Sequence, residues 1–333
     1  MKIFKFIVVF LLNSALCSAN SKPIILAYVT SWSTVLPDPR YLTHINYAFG
    51  HVNDTFNGIR VDNPERLKNI VKLKQQFPKL KVLLSIGGWG SGKFSEMAAA
   101  SLNRKKFAED CSRVVREFNL DGIDIDWEYP ASDAAKISSS TDDTYNYSLM
   151  MKDIRNQIGT NKLLTLASSA DAKYIDFKAI ASTVDFVNIM AYDMANPPFH
   201  HAGLYKSKFT SGLSVDEAVT AHVNAGIPIG KLVLGIPFYG HGRNGVVSYI
   251  DYREIVKLRE LREIWDDDAK AAYKENDKGD FVLTFETPQS INVKCKYLIK
   301  RGMLGAMYWD YGADTDPGTL RKAVYSGLKT KVK

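Results

Sequence analysis

The stretch Asp121-Gly122-Ile123-Asp124-Ile125-Asp126-Trp127-Glu128-Tyr129-Pro130 sets acidic and apolar residues in strict alternation. Successive side chains of a strand point to opposite faces, so Asp124, Asp126 and Glu128 share one face and Ile123, Ile125 and Trp127 the other. The apolar face needs cover from the rest of the chain. The acidic face needs water, partners or protons. A solvated edge strand above a core meets both demands and is the plain structural reading, since ordinary ion networks also perturb acids. The context of the stretch decides between that reading and a chemical one.

Outward from it, β-branched and aromatic runs recur at Ile24 to Val29, His44 to Phe49, Val82 to Ile86, Leu163 to Ala167, Phe186 to Tyr192, Leu232 to Ile236 and Gly305 to Trp309. With Gly122 to Asp126 they make eight, several of them almost continuously apolar, as parallel strands covered on both faces are. Helical patterns fill the intervals. One runs from Pro64 to Gln76 after Asn63, one from Arg104 to Phe118 with Asn103 as its cap, one from Val215 to Asn224 after Ser214, and one from Ser290 to Lys300 ended by Gly302. Strand and helix in alternation predict βαβ units and a closed (β/α)8 barrel. The acidic strand is the fourth, and its acids run towards the C-terminal end, where barrel enzymes place their chemistry. A doubly wound open sheet is the rival architecture, but Tyr28-Val29-Thr30-Ser31-Trp32 follows the first strand where that fold carries a glycine-rich phosphate loop.

The chain has 333 residues and a formal charge of +7. Its start, Met-Lys-Ile-Phe-Lys followed by the apolar run Phe6 to Leu12 and small residues up to Ala19, reads as a secretory leader too short to span a bilayer. Cleavage after Ala19 is expected; lipidation at Cys17 is the other processing route, disfavoured by Leu16 before it. Residues 20–333 are then one domain of about 314 residues, a size that suits an α/β barrel. Loss of Lys2 and Lys5 lowers the charge to about +5, a mildly basic, mixed surface and not a nucleic-acid footprint. No later segment is long and apolar enough to predict a membrane span. Cys111 and Cys295 remain after cleavage, both in helical patterns, and read as buried small hydrophobes more readily than as a disulfide. Asn53-Asp54-Thr55 and Asn146-Tyr147-Ser148 are glycosylation acceptors in a eukaryotic secretory pathway.

Three like charges at a partly dry strand end cannot all ionise freely, so at least one proton is held and the pKa values separate. A calcium reading fails on spacing: counting from Asp124, an EF-hand loop needs glycine at Tyr129 and glutamate at Ala135. Asp310, Asp314 and Asp316 read as a loop with a capping residue. No metal and no cofactor are expected.

On these residues the chain resembles the family 18 glycoside hydrolases, which include chitinases and endo-β-N-acetylglucosaminidases. The pattern Asp-Gly-x-Asp-x-Asp-x-Glu is complete from Asp121 to Glu128, and Ser-x-Gly-Gly is present as Ser85-Ile86-Gly87-Gly88, followed by Trp89. Tyr28, Asn46-Tyr47-Ala48-Phe49, Met190-Ala191-Tyr192-Asp193, Gly235-Ile236-Pro237-Phe238-Tyr239-Gly240 and Met307-Tyr308-Trp309 follow in barrel order. The resemblance implies retaining, substrate-assisted hydrolysis of β-1,4-linked N-acetylglucosamine, without the usual carboxylate nucleophile. It implies Glu128 as general acid and then base, Asp126 as the partner of the substrate acetamido group, Asp124 as sharing a proton with Asp126, and Tyr192 as a donor to the acetamido oxygen. Trp309 is implied as the floor under the sugar, with Asp193, Tyr28, Ser85, Gly88, Trp89 and Tyr239 as further substrate-site residues. Trp32 and Phe199 are additional aromatic candidates, weighed equally against ordinary packing.

Many relatives carry a sizeable α+β insertion after the seventh strand. Here the run from Tyr239-Gly240-His241 to Trp265-Asp266-Asp267 is short, and that wall is expected to be absent or vestigial. The substrate expected is a chitin-type oligo- or polysaccharide; an N-glycan core is the close alternative, and a non-catalytic chitinase-like lectin the distant one, since such lectins usually lack the acid. An exported monomer is expected.

Overall fold

The structure, a computed structural model, describes residues 22–329. The leader expected over residues 1–19 lies outside the described residues. Among the described residues there are fourteen strands: β1 (Ile24–Thr30), β2 (His44–Val52), β3 (Ile59–Val61), β4 (Lys81–Gly87), β5 (Gly122–Asp126), β6 (Leu163–Ser169), β7 (Phe186–Met190), β8 (Leu232–Pro237), β9 (Tyr239–Gly242), β10 (Ile250–Asp251), β11 (Arg262–Asp266), β12 (Ala271–Glu275), β13 (Phe281–Phe285) and β14 (Gly305–Trp309).

β1, β2, β4, β5, β6, β7, β8 and β14 are the eight runs read from the sequence. They pair in parallel in that order, and β1 pairs with both β14 and β2, which closes the barrel. Alternation then sorts the side chains into two apolar layers. Ile123, Ile125 and Trp127 join the larger layer between strands and helices, where Phe94 stacks on Trp127 with centroids 5.2 Å apart. The smaller layer fills the lumen with Leu26, Tyr28, Phe49, Val233 and Met307. The acids of β5 therefore face inward.

The helices hold the predicted places with adjusted ends. Asn63 caps Pro64–Lys72 by accepting from the Arg66 amide at 3.2 Å. Ser214 and Glu217 form a reciprocal capping box for Val215–Ala225, and Gly302 ends Pro288–Arg301 in the left-handed conformation. Asn103 is not a cap: that helix spans Ser101–Glu117, starting two residues before it, because an amphipathic face that includes Phe107, Cys111 and Val114 carries the turn despite the lack of a capping side chain at Ala100. Cys111 and Cys295 are buried and free. Asp310 and Asp314 cap the turns that follow β14. Among the described residues, no helix is long and apolar enough to cross a membrane.

The segment after β8 is more than vestigial, contrary to the sequence reading. It folds into a five-stranded antiparallel sheet in the order β10-β9-β13-β12-β11, with one four-residue helix, Tyr252–Ile255. Its short strands and single helical turn fall short of a full α+β domain, yet the sheet stands over one side of the barrel mouth. The loop beneath it is pinned from the barrel side. Lys294, fully buried, pairs with Glu286 and donates to the Ala202 carbonyl at 2.6 Å.

Candidate active site

Asp124 lies at the bottom of the site, fully buried. Register places Ser85 and Thr165 beside it on the adjoining strands. Ser85 donates to its Oδ2 at 2.8 Å and the Tyr28 hydroxyl to the same oxygen at 2.9 Å. Thr165 and Asn188 donate to Oδ1 at 2.5 and 3.2 Å. Burial raises this carboxyl above its ordinary value, and the four hydrogen bonds pull against the rise. Both oxygens are thus taken up by neutral donors. The proton-sharing contact expected between Asp124 and Asp126 is not formed here, because neighbouring strands already saturate Asp124.

Asp126, two residues on, is also buried, but its Oδ1 has no hydrogen-bond partner among the described residues. Its pKa is pushed well up by burial, then by the charges of Glu128 and Asp124. Glu128 follows the end of β5 at the strand exit. Burial raises its pKa to about 7; a hydrogen bond from the Tyr129 hydroxyl opposes the rise and the charge of Asp193 adds to it. Both carboxyls are thus raised, and the Glu128 charge adds to the rise of Asp126, so the upper acids favour a bound proton.

The exit of β4 is shaped to meet them. Gly87 and Gly88 have φ of +129° and +95°, and the Gly88 amide donates to the Asp126 carbonyl at 2.8 Å. A Cβ on Gly87 would sit 2.0 Å from that carbonyl, and one on Gly88 would sit 2.7 Å from the Phe49 ring. Only glycine allows so close an approach.

Above the acids opens a groove of about 980 Å³, at the upper end of volumes that hold small organic ligands. Tyr28, Trp89, Asp126, Glu128, Tyr192, Asp193, Tyr239 and Trp309 line it, as do Trp32, Tyr129, His241 and Tyr249. Trp309 is stacked against Phe49 with centroids 5.7 Å apart, leaving the indole over the base of the groove. Trp32 and Trp89 are 65% and 63% exposed, so the chain keeps two large aromatic faces in water at the rim. Asp193 Oδ1 accepts from the Tyr239 hydroxyl at 2.6 Å and lies 2.7 Å from His241 Nε2. Burial alone would raise Asp193, but the His201 and His241 side chains beside it and the Tyr239 hydroxyl outweigh it and hold the carboxyl well below its usual range.

Of the residues singled out from the sequence, all but Asp124, Ser85, Gly88 and Phe199 line the groove. Asp124 and Ser85 lie beneath its floor, and Gly88 shapes the backbone. Thr165, Asn188, His201, His241 and Tyr249 were missed. The first two carried a signal: polar residues at lumen-facing positions of β6 and β7, in register with the acids. The last three depend on the sheet after β8, whose existence was underestimated.

Residues 24–314 match the family model of the glycosyl hydrolases family 18. The chain is similar to chitinase 1 of Aphanocladium album, 30% identical over 81% of this chain and 70% of that one. It is also similar to chitinase A1 of Niallia circulans, 28% identical over 91% of this chain, and spans 57% of the length of that enzyme. Among solved structures, a family 18 N-acetylglucosaminidase from Paenibacillus barengoltzii superposes with a TM-score of 0.83 at 32% identity, covering 92% of this chain and 99% of that one. A Group IV chitinase of Ostrinia furnacalis in complex with allosamidin gives 0.83 at 26% identity, covering 92% and 98%. With a closed barrel, an acidic fourth barrel strand at its mouth and this match across nearly all the described residues, the chain belongs to the glycosyl hydrolases family 18 and is a glycoside hydrolase.

Proposed function

We propose that the enzyme hydrolyses β-1,4-linked N-acetylglucosamine in chitin or chito-oligosaccharides with retention, using the acetamido group of the substrate as the nucleophile. The observation that carries this reading is Glu128 held near pKa 7 at the edge of a sugar-sized groove, two residues after a buried Asp126 with an unpartnered Oδ1. Glu128 gives its proton to the glycosidic oxygen as the C1–O bond breaks. Asp126 accepts the acetamido N–H and turns the carbonyl oxygen towards C1, and Tyr192 donates to that oxygen. The resulting oxazolinium ion carries positive charge, which Asp126 stabilises from a fixed position in a dry site. Water, deprotonated by the Glu128 carboxylate, then opens the ring at C1. Trp309 offers its apolar face to the C–H groups of the sugar bound at the cleavage point.

Chitinases among the relatives support the substrate class, and the leader read in residues 1–19 supports export. The neighbour named as an N-acetylglucosaminidase favours short chito-oligosaccharides over polymer, and an N-glycan core is the alternative substrate. The test compares chromophore release from an N-acetyl-chito-oligosaccharide and from a glycopeptide, for the wild type and Glu128→Gln. Release from the oligosaccharide that is lost in the variant is expected. Undiminished activity in the variant removes the mechanism, and activity on the glycopeptide alone transfers the enzyme to N-glycans.

A further inference from the structure

We propose that Asp193, His201 and His241 form a binding site for a divalent transition-metal ion such as Zn²⁺ at the rim of the groove, and that an ion bound there inhibits the enzyme. The binding claim is independent of the reaction proposed above; the inhibition rests on it. One ligand atom from each of the three residues can be chosen so that all lie within 4.8 Å of one another. Asp193 Oδ1 is 2.7 Å from His241 Nε2 and 3.5 Å from His201 Nδ1. Two ligands of one tetrahedral Zn²⁺, each about 2.0–2.1 Å from it, stand about 3.4 Å apart. The His201 pair already has that spacing, and the His241 pair reaches it by a small opening.

The protonation pattern of His241 points the same way. Its Nδ1 lies 2.8 Å from the Ser248 carbonyl, which can only accept, so Nδ1 carries the hydrogen. Nε2 then meets a carboxylate that also only accepts. It must either hold a second proton or give its lone pair to a cation. An imidazole whose far nitrogen donates to a backbone carbonyl is oriented as metal-binding histidines are, and the Tyr239 hydroxyl on Asp193 Oδ1 holds the carboxylate in the same manner.

His201 supplies the independent observation. Its side chain is fully buried, and neither ring nitrogen has a hydrogen-bond partner among the described residues; Nδ1 lies 3.5 Å from Asp193 Oδ1, long for a hydrogen bond. Buried polar groups without partners are costly, and Nδ1 is the one aimed at Asp193. Its backbone amide donates to Thr284 Oγ1 at 3.2 Å on β13, so the ring is carried by the same sheet as His241. The two rings stand at 89° with centroids 4.9 Å apart, and neither shields the other from a shared ion. A set of two imidazoles and one carboxylate suits Zn²⁺ or Cu²⁺ better than Ca²⁺ or Mg²⁺. Because Asp193 and His241 line the groove, an ion enters from solvent and keeps an open position towards it. Any proton on His241 Nε2 passes to solvent as the metal takes its place. A dication there removes Asp193 from the sugar and opposes the positive charge of the oxazolinium ion.

The test titrates the full chain with Zn²⁺ against a chromogenic chelator and follows Co²⁺ binding by its visible absorption. One ion per chain is expected, with affinity lowered about tenfold or more in His241→Asn and in His201→Asn, and with Zn²⁺ suppressing oligosaccharide hydrolysis until a chelator restores it. If His201→Asn does not fold, His241→Asn, at a position on the groove wall that keeps some exposure, decides alone. No stoichiometric binding, or equal affinity in His241→Asn, overturns the site while leaving the proposed reaction standing. Histidine-dependent binding in a chain that does not hydrolyse chito-oligosaccharide supports the site and removes the reaction. Binding that leaves hydrolysis undiminished overturns the inhibition.

Discussion

Two aspartates one strand repeat apart, Asp124 and Asp126, are treated in opposite ways by the same barrel. Asp124 receives hydrogen bonds from four side chains on four other strands, so the fold spends its polar groups on it. Asp126 keeps a buried oxygen without a partner, and Glu128 beyond it is held near pKa 7. The lower layer is satisfied and structural in its energetics; the upper layer is left unsatisfied, at a cost in stability, as the proposed reaction requires of groups that meet a substrate. Alternation alone puts all three acids on one face. Depth in the lumen separates their roles.

Substitutions in each layer sharpen or break that contrast. The largest effect is expected from Glu128→Gln, which removes the transferable proton and lowers kcat by about 10²–10⁴-fold with the far-ultraviolet circular dichroism unchanged. Asp124→Ala leaves buried donors on Tyr28, Ser85, Thr165 and Asn188 unpaired, and is expected to lower unfolding stability by on the order of 3 kcal/mol in denaturant titrations. An unchanged midpoint would show that the lower layer does not hold the barrel.

A smaller effect of opposite sign is expected in the upper layer. The folded value of Glu128, about 7, lies above its unfolded value, so the folded state binds the extra proton between them. That contribution is fully present below about pH 4 and is lost as pH rises through about 7. Glu128→Gln avoids the loss, and is expected to be more stable than the wild type at pH 8 by roughly 1–3 kcal/mol and equal to it at pH 4. Equal stability at both pH values would contradict a strained upper layer. Ser85→Ala, which removes one donor of four, is expected to cost about 1 kcal/mol.

The barrel was legible because its strands are apolar runs covered on both faces; Gly122 to Asp126 and Gly305 to Trp309 match to the residue, and the other six runs differ by one to three residues at their ends. The acids were legible through alternation on one strand. The donors to Asp124 were harder, because Thr165 and Asn188 become neighbours only through strand register, a property of the closed sheet and not of either segment. The sheet after β8 was misjudged for a different reason. Its strands are short, and β11 is half exposed and charged, as Arg262-Glu263-Ile264-Trp265-Asp266 shows. The turn at Asn276-Asp277-Lys278-Gly279 between two apolar-containing runs was the signal for a hairpin there. With that sheet come His241 and Tyr249, so an error about a wall became an omission from the site.

The most direct measurement of the central claim, a proton held on the Glu128–Asp126 pair for delivery to the substrate, is the pH dependence of kcat/KM on an N-acetyl-chito-oligosaccharide. The wild type is expected to lose activity as pH rises through about 7, where the acid gives up its proton, and the residual activity of Glu128→Gln is expected to show no such limb. A wild-type profile that stays flat from neutral to alkaline pH, or the same limb surviving in the variant, would contradict the account.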